Sequence, residues 1–139
     1  AYHQENDWAC ELVSRISAVV KNRVPRLEEI TIDNIHTKAV YQTLQNGESV
    51  KLGDVLHDPW NRDKKLGCIT LLMKRANDHV LLPELDTEIE QGDRFLFCAG
   101  APGFTRLYWN LQQDNILTYV RTGKVKRQGW LWRKFTDAE

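Results

Sequence analysis

The chain has 139 residues, of which 42% are apolar and 27% charged. This composition predicts one globular domain, or a small domain with an arm. Nineteen basic residues balance nineteen acidic ones, which argues against a dedicated nucleic-acid binder, because such proteins are usually strongly basic. No apolar run reaches the length of a bilayer span, and residues 1–11 do not have the pattern of a signal peptide. Because the chain starts at Ala1 without a methionine, we interpret it as a piece of a longer protein.

Residues 7–22 carry the clearest helical pattern. Apolar side chains recur there at helical spacing, and the Val24-Pro25 step ends the pattern, since a residue before proline is disfavoured in a helix. A chain of this size covers such a stripe poorly. We therefore expect a connecting helix within residues 1–26 and a dimer interface on Trp8, Leu12, Ile16 and Val19.

Alternating and helical patterns continue along the rest of the chain. Gly47 stands where a glycine would end a helix, and HDPWNRDKK, residues 57–65, has the composition of a loop. The three cysteines, Cys10, Cys68 and Cys98, are typical of reduced, buried thiols. The predicted elements are a strand at 27–34, a helix at 36–46, strands at 67–75, 79–83 and 93–100, a helix at 102–114 and a strand-like segment at 116–127.

The acidic stretch LPELDTEIEQGDRFLF, residues 82–97, could be either a metal site or a structural connection between two strands. Its carboxylates could attract a hard cation, but alternate residues of an extended segment point to opposite faces and the D-x-D-x-D-G order is missing. Asp54, His57 and Asp58 likewise lack a fourth ligand at a fixed spacing. We expect no metal site. Gly92 and Asp93 instead predict a structural turn, with a positive φ at the glycine and an accepting carboxylate beside it.

The segment from residue 67 to residue 100 resembles a known family. An apolar strand ending in arginine, a turn, a strand ending in proline and a D-T-x-I-x-x-G-D-x-x-L-x-x-x-G run are similar to the TrkA-C domain, also called the RCK C-terminal domain. This likeness extends roughly over residues 27–112. The matching positions are Arg75, Pro83, Thr87, Ile89, Gly92, Asp93, Leu96 and Gly100.

The resemblance implies an α+β fold with a small antiparallel sheet and flanking helices. It also implies pairing into a homodimer or a higher assembly on the cytoplasmic side of the inner membrane. Such domains follow a Rossmann domain in the cytosolic part of a potassium channel or cation transporter. The implied function is a ligand-sensing, dimerising regulatory domain that changes its interface geometry when a small anionic or nucleotide ligand binds. We expect no further cofactor.

Arg75 and His79 are the predicted ligand-binding residues. Arginine offers a rigid fork for phosphate or carboxylate, and histidine changes charge near neutral pH. The alternative is that both residues belong to a solvent-exposed hairpin tip. No G-x-S-x-G, H-E-x-x-H or P-loop motif is present, so we expect neither catalytic residues nor an enzyme.

The C-terminal extension, residues 113–139, is basic and aromatic. Residues 116–135 contain six basic side chains and no acid, with Trp130, Trp132 and Phe135 between them. Such a segment can bind single-stranded nucleic acid or a membrane surface, but we favour an added strand with packed tryptophans and therefore expect no nucleic acid as a partner. A structural assembly module without a ligand, and a nucleic-acid-binding module that uses this tail, are the alternatives to the sensor.

Overall fold

The structure, a computed structural model, describes residues 25–125. Four antiparallel strands form one sheet in the order β1-β4-β2-β3, which confirms the predicted α+β class with a small antiparallel sheet and flanking helices. The predicted helix at 7–22, with its interface residues Trp8, Leu12, Ile16 and Val19, lies outside the described residues. The elements are β1 Arg26–Thr31, α1 Lys38–Gln45, α2 Leu52–Val55, β2 Cys68–Arg75, β3 Asp78–Leu81, β4 Arg94–Ala99, α3 Ala101–Gln112 and α4 Asp114–Thr122.

One face of the sheet carries the core. Successive residues of a strand point to opposite faces, so Phe95, Phe97 and Ala99 of β4 lie on the same side, and each is at most 1% exposed. Ile30 of β1 lies opposite Phe95 in the register and joins this core. Leu27 of β1 and Cys98 of β4 lie opposite each other on the other face of the sheet, where Leu27 is 60% exposed.

A register shift in β2 changes which of its residues face the core. Thr70 lies opposite Phe97, but Leu72 lies opposite Leu96, which leaves Leu71 as an extra residue. A bulge of this kind reverses the alternation of a strand. Cys68 therefore faces the core before the bulge and Met73 after it, a switch that an alternating sequence pattern does not predict.

The helices cover the core face. α1 ends where predicted: Gly47 has φ +82° and its amide donates to the carbonyl of Leu44 at 3.1 Å, the geometry of a glycine-terminated helix. α3 buries Phe104, Leu107 and Leu111. No helix within residues 25–125 is long and apolar enough to cross a membrane.

The strand-like prediction for the C-terminal extension is wrong over its described part, because residues 114–122 form helix α4. The β-branched residues of this segment favour strands in isolation. Ile116, Leu117 and Val120, however, repeat at helical spacing and are all buried. Gly123, at φ +81°, ends the helix. Tertiary burial of this stripe outweighs the local strand propensity.

The acidic stretch 82–93 forms part of the architecture. Ile89 N donates to Val50 O at 2.8 Å and Leu52 N donates to Thr87 O at 2.8 Å, which ties the stretch to the segment that enters α2. Gly92 has φ +89°, and its amide donates to Ile32 O at 2.9 Å. The turn thus holds the start of β4 beside the end of β1.

Candidate nucleic-acid interface

Residues 57–65 form a closed loop with its own hydrogen bonds. Asp58 N donates to Lys64 O at 2.8 Å, Lys64 N donates to Asn61 O at 3.0 Å, and an isolated bridge pairs His57 with Lys65. The Asp58 carboxylate accepts from the amides of Trp60 (2.8 Å) and Asn61 (3.2 Å). These contacts give the loop a specific shape, which its composition alone does not define.

Both long helices anchor this loop. Asn110 of α3 is fully buried, and its Nδ2 donates to Val55 O at 2.8 Å and His57 O at 2.7 Å. Tyr119 of α4 accepts through its hydroxyl from the amide of Arg62 at 3.1 Å. Because each anchor comes from more than fifty residues away, the position of the loop depends on the completed fold.

The loop presents a tryptophan to a second tryptophan on α3. The rings of Trp60 and Trp109 lie with centroids 5.7 Å apart and planes at 73°, an edge-to-face arrangement. Trp60 remains 39% exposed and Trp109 37% exposed. Arg106 lies one turn before Trp109 on the same side of α3 and is exposed.

The basic residues of the described chain fall into two groups. The first group has acidic partners: for example, Lys74 Nζ lies 3.2 Å from Glu29 Oε2, Arg75 is paired with Asp93, and Arg121 of α4 is paired with Glu48. Within residues 25–125, no ion pair is made by Lys38, Lys51, Arg62, Lys64, Lys65, Arg106 or Lys124. Arg62, Lys64 and Lys65 lie in the loop that carries Trp60, and Arg106 lies one helical turn from Trp109. We call the set Trp60, Arg62, Lys64, Lys65, Arg106, Trp109 and Lys124 the loop surface.

The end of α4 lies at this surface. A Cβ added at Gly123 would stand 2.7 Å from Nη1 of Arg62, so the chain leaves α4 directly beside the loop. Buried Nε of Arg62 has no hydrogen-bond partner within the described residues. Lys124 follows Gly123, and the sequence continues with Lys126 and Arg127. The fold therefore brings Arg62 of loop 57–65 to the point where the basic tail begins.

The predicted ligand residues, Arg75 and His79, do not share a pocket. Arg75 donates to Asp93 and to the carbonyl of Glu88, and hydrogen bonding to Asp93 raises the pKa of its guanidinium. It lines a groove of about 460 Å³, which His79 does not line. His79 is exposed on β3, opposite Lys74. A ligand role for the pair stays a prediction.

A larger cavity of about 800 Å³ lies next to the loop surface, between α2, the start of β2 and residues 82–86. Its wall is mainly apolar, with Leu56, Leu66 and Ile69 among its residues. Nδ1 of His57 and Oγ1 of Thr70, which also line it, have no hydrogen-bond partner within the described chain. Thr70 is only 6% exposed, so its hydroxyl is an unsatisfied buried group.

The sequence contains a feature that points to the loop surface but does not follow from hydrophobic periodicity. A tryptophan stands among three cations in the loop 57–65, and Trp109 falls outside the apolar stripe of α3. Aromatic residues are enriched at interaction surfaces relative to the rest of a protein surface. What the sequence did not contain is the contact that places Trp60 beside Trp109.

No family model matches the chain, and no curated protein matches it. Among solved structures, the chain is similar to BusR of S. agalactiae in complex with its busAB promoter DNA. The identity is 19%, the match covers 80% of this chain and 50% of that chain, and the TM-score is 0.33. The chain thus spans about half the length of that neighbour.

This neighbour overturns two expectations. The predicted function as a regulatory domain of a potassium channel or cation transporter is contradicted, and so is the expectation that nucleic acid is not a partner, since the neighbour is described on DNA. The second expectation rested on the neutral net charge and on the interpretation of the tail as an added strand with packed tryptophans. The net charge combines cations already paired with acids and cations that are unopposed at the loop surface, so it does not describe the local charge. A TM-score of 0.33 assigns no function to this chain.

Proposed function

We propose that this chain is a nucleic-acid-binding module whose contact surface is the loop surface together with the basic tail that follows it. The observation that carries the proposal is the proximity of Gly123 to Arg62. It joins two regions of the same chemistry that are about sixty residues apart in the sequence. Loop 57–65 alone, with three lysine or arginine residues and two acids, is not basic enough to indicate a polyanion site.

Unpaired cations support the proposal because binding to phosphates releases counterions from the nucleic acid. Lys64 and Lys65 are exposed and have no acidic partner within residues 25–125, so contact with a phosphate does not require an existing ion pair to break. The acids nearest along the chain are Asp58, whose carboxylate is engaged by loop amides, and Asp63. Exposed tryptophans next to cations complete a combination that suits nucleic acid better than a simple anion.

A charge-matched pair of double variants tests this function. Lys64→Gln/Lys65→Gln removes two unopposed cations from the loop surface, while Lys74→Gln/Arg94→Gln removes two cations that lie within 3.8 Å of Glu29 on the sheet. The net charge changes equally in both. Binding of the full chain to a fluorescein-labelled oligonucleotide is followed by anisotropy at about 50 mM and about 200 mM salt.

The loop variant is expected to bind more weakly at low salt. The slope of the logarithm of its binding constant against the logarithm of the salt concentration should become less negative by roughly 0.7–0.9 for each phosphate contact removed. The sheet variant should bind as the parent chain does. Equal losses in both variants would indicate a general effect of net charge, and absence of binding by the parent chain at low salt would refute the proposal. Denaturation midpoints of both variants establish that they fold.

A further inference from the structure

We infer that Trp109 stacks on an unpaired base, so that the partner of the loop surface is single-stranded nucleic acid. This inference rests on the proposed function and names the class of partner. Trp109 is 37% exposed on α3, whereas the core positions of the same helix, Phe104, Leu107 and Leu111, are at most 2% exposed. Packing of the core therefore does not explain a tryptophan at this position.

The Trp109 ring keeps surface open to a ligand, since its side chain is 37% exposed. An angle of 73° between Trp109 and Trp60 means that the two rings do not stack face to face, so the edge contact orients Trp109 without stacking on it. Hydrogen bonds from side chains to the backbone hold the arrangement: the Asp58 carboxylate accepts from Trp60 N, and Nδ2 of Asn110, next to Trp109, donates to Val55 O and His57 O. A ring oriented in advance loses little conformational entropy when it binds.

An exposed aromatic face favours a single strand over a duplex. In a duplex each base stacks on its neighbours and is not accessible to a side chain, whereas in a single strand every base offers a face for stacking. Arg106 lies one helical turn from Trp109, and Arg62 and Lys64 lie in the loop that carries Trp60. A base on Trp109 would thus have cations within reach of its flanking phosphates.

Three ligands of equal length separate stacking from phosphate contact: an oligothymidine of about 15 nucleotides, an abasic strand with the same phosphates, and a duplex. The parent chain should bind the oligothymidine most tightly. Trp109→Leu should weaken its binding by about ten-fold, within the usual range for one lost stacking contact. Binding of the abasic strand should change by less than about two-fold. Trp109→Phe, which keeps an aromatic face, should retain most of the affinity.

Crosslinking gives a readout that does not depend on the folding of a variant. A strand containing 5-iodouracil, irradiated with the parent chain, should form an adduct that peptide mapping locates at Trp109. Tighter binding of the duplex, equal losses for the thymidine and abasic strands, or adducts that avoid Trp109 would each overturn the inference while leaving the proposed function intact. Binding of heparin or anionic vesicles instead of any of the three strands would overturn both.

Discussion

Arg75 and Asp93 form a two-pronged ion pair between β2 and the start of β4. Arg75 Nε lies 2.9 Å from Oδ1 of Asp93, and Nη2 lies 2.8 Å from Oδ2. The carboxylate is 1% exposed and also accepts from the amide of Glu90 at 2.8 Å, while the arginine side chain is 35% exposed. Both residues belong to the pattern that resembles the TrkA-C domain. In this structure they fix the acidic stretch 82–93 against the sheet.

The two partners of this pair should differ in their effect on stability. Arg75→Met leaves a buried carboxylate without its cation and should lower the free energy of unfolding by about 2–4 kcal/mol. Asp93→Asn leaves an arginine that reaches water, and should cost only about 1–2 kcal/mol. Urea denaturation measures both. Lys74→Met, which removes an exposed ion pair with Glu29, is the control and should cost less than about 1 kcal/mol. Equal losses at Arg75 and Asp93 would contradict this difference.

Thr70 should tolerate loss of its hydroxyl. Its Oγ1 is buried and has no partner within the described chain, and an unsatisfied buried group costs free energy. Thr70→Val keeps the shape and should be neutral or stabilise by up to about 1 kcal/mol. Thr43 is equally buried but donates to Ala39 O at 2.8 Å, so Thr43→Val should instead lose about 0.5–1.5 kcal/mol. A clear loss of stability at Thr70, measured by the same urea titration, would mean that the hydroxyl has a partner.

Asp33 should make stability depend on acid pH. Its Oδ1 accepts from the amides of His36 (2.6 Å) and Ile35 (2.9 Å), and the His36 amide is the main cause that lowers the pKa of this carboxyl below its ordinary value of 3.8. A lowered pKa adds stability above the pKa of the unfolded chain, and this stability is lost as pH falls through the folded pKa. The side chain is 35% exposed, so the effect is small.

The corresponding variant is Asp33→Ala. At neutral pH its free energy of unfolding should be about 0.5–1 kcal/mol lower than that of the parent chain, as for loss of an exposed capping carboxylate. As the pH falls through the lowered pKa of Asp33, the two chains should converge, since the parent carboxyl is then protonated as well. Thermal unfolding across this range provides the test. A difference that persists unchanged at low pH would assign the effect of Asp33 to packing and not to charge.

The parts of the fold that local patterns determine were predictable from the sequence. Alternation and apolar runs bounded by turn residues predicted the strands, and Gly47 predicted the end of α1. The errors arose where distant residues decide the outcome. Burial of Ile116 and Val120 against the rest of the core turned a predicted strand into α4, and the bulge at Leu71 depends on pairing with β4.

The candidate interface was less predictable than the fold. The basic and aromatic character of the tail was evident, but its neighbours were not. Asn110 anchors the loop from a position on α3, and Gly123 approaches Arg62 across the fold. Neither contact has a local sequence signature. A net charge of zero further concealed the difference between paired and unopposed cations, which only the ion pairs of the folded chain define.

Two glycines should resist substitution by alanine for different reasons. Gly92 has φ +89°, but a Cβ there would meet no atom within 4 Å, so only backbone strain should count, at about 1 kcal/mol. At Gly103, in α3, a Cβ would stand 2.9 Å from Gly67 O and 3.0 Å from Cβ of Ala99. Alanine favours a helix by about 1 kcal/mol over glycine, yet the helix would have to move off the sheet, and overpacking of this kind costs about 1–3 kcal/mol.

Substitution of both glycines by asparagine separates the two causes. Asparagine tolerates positive φ, so it should recover about half of the alanine loss at Gly92. The same residue at Gly103 should be worse than alanine, since it adds volume at a backbone contact. Urea denaturation of the four variants measures these differences. Recovery by asparagine at Gly103, or none at Gly92, would show that the assigned causes are wrong.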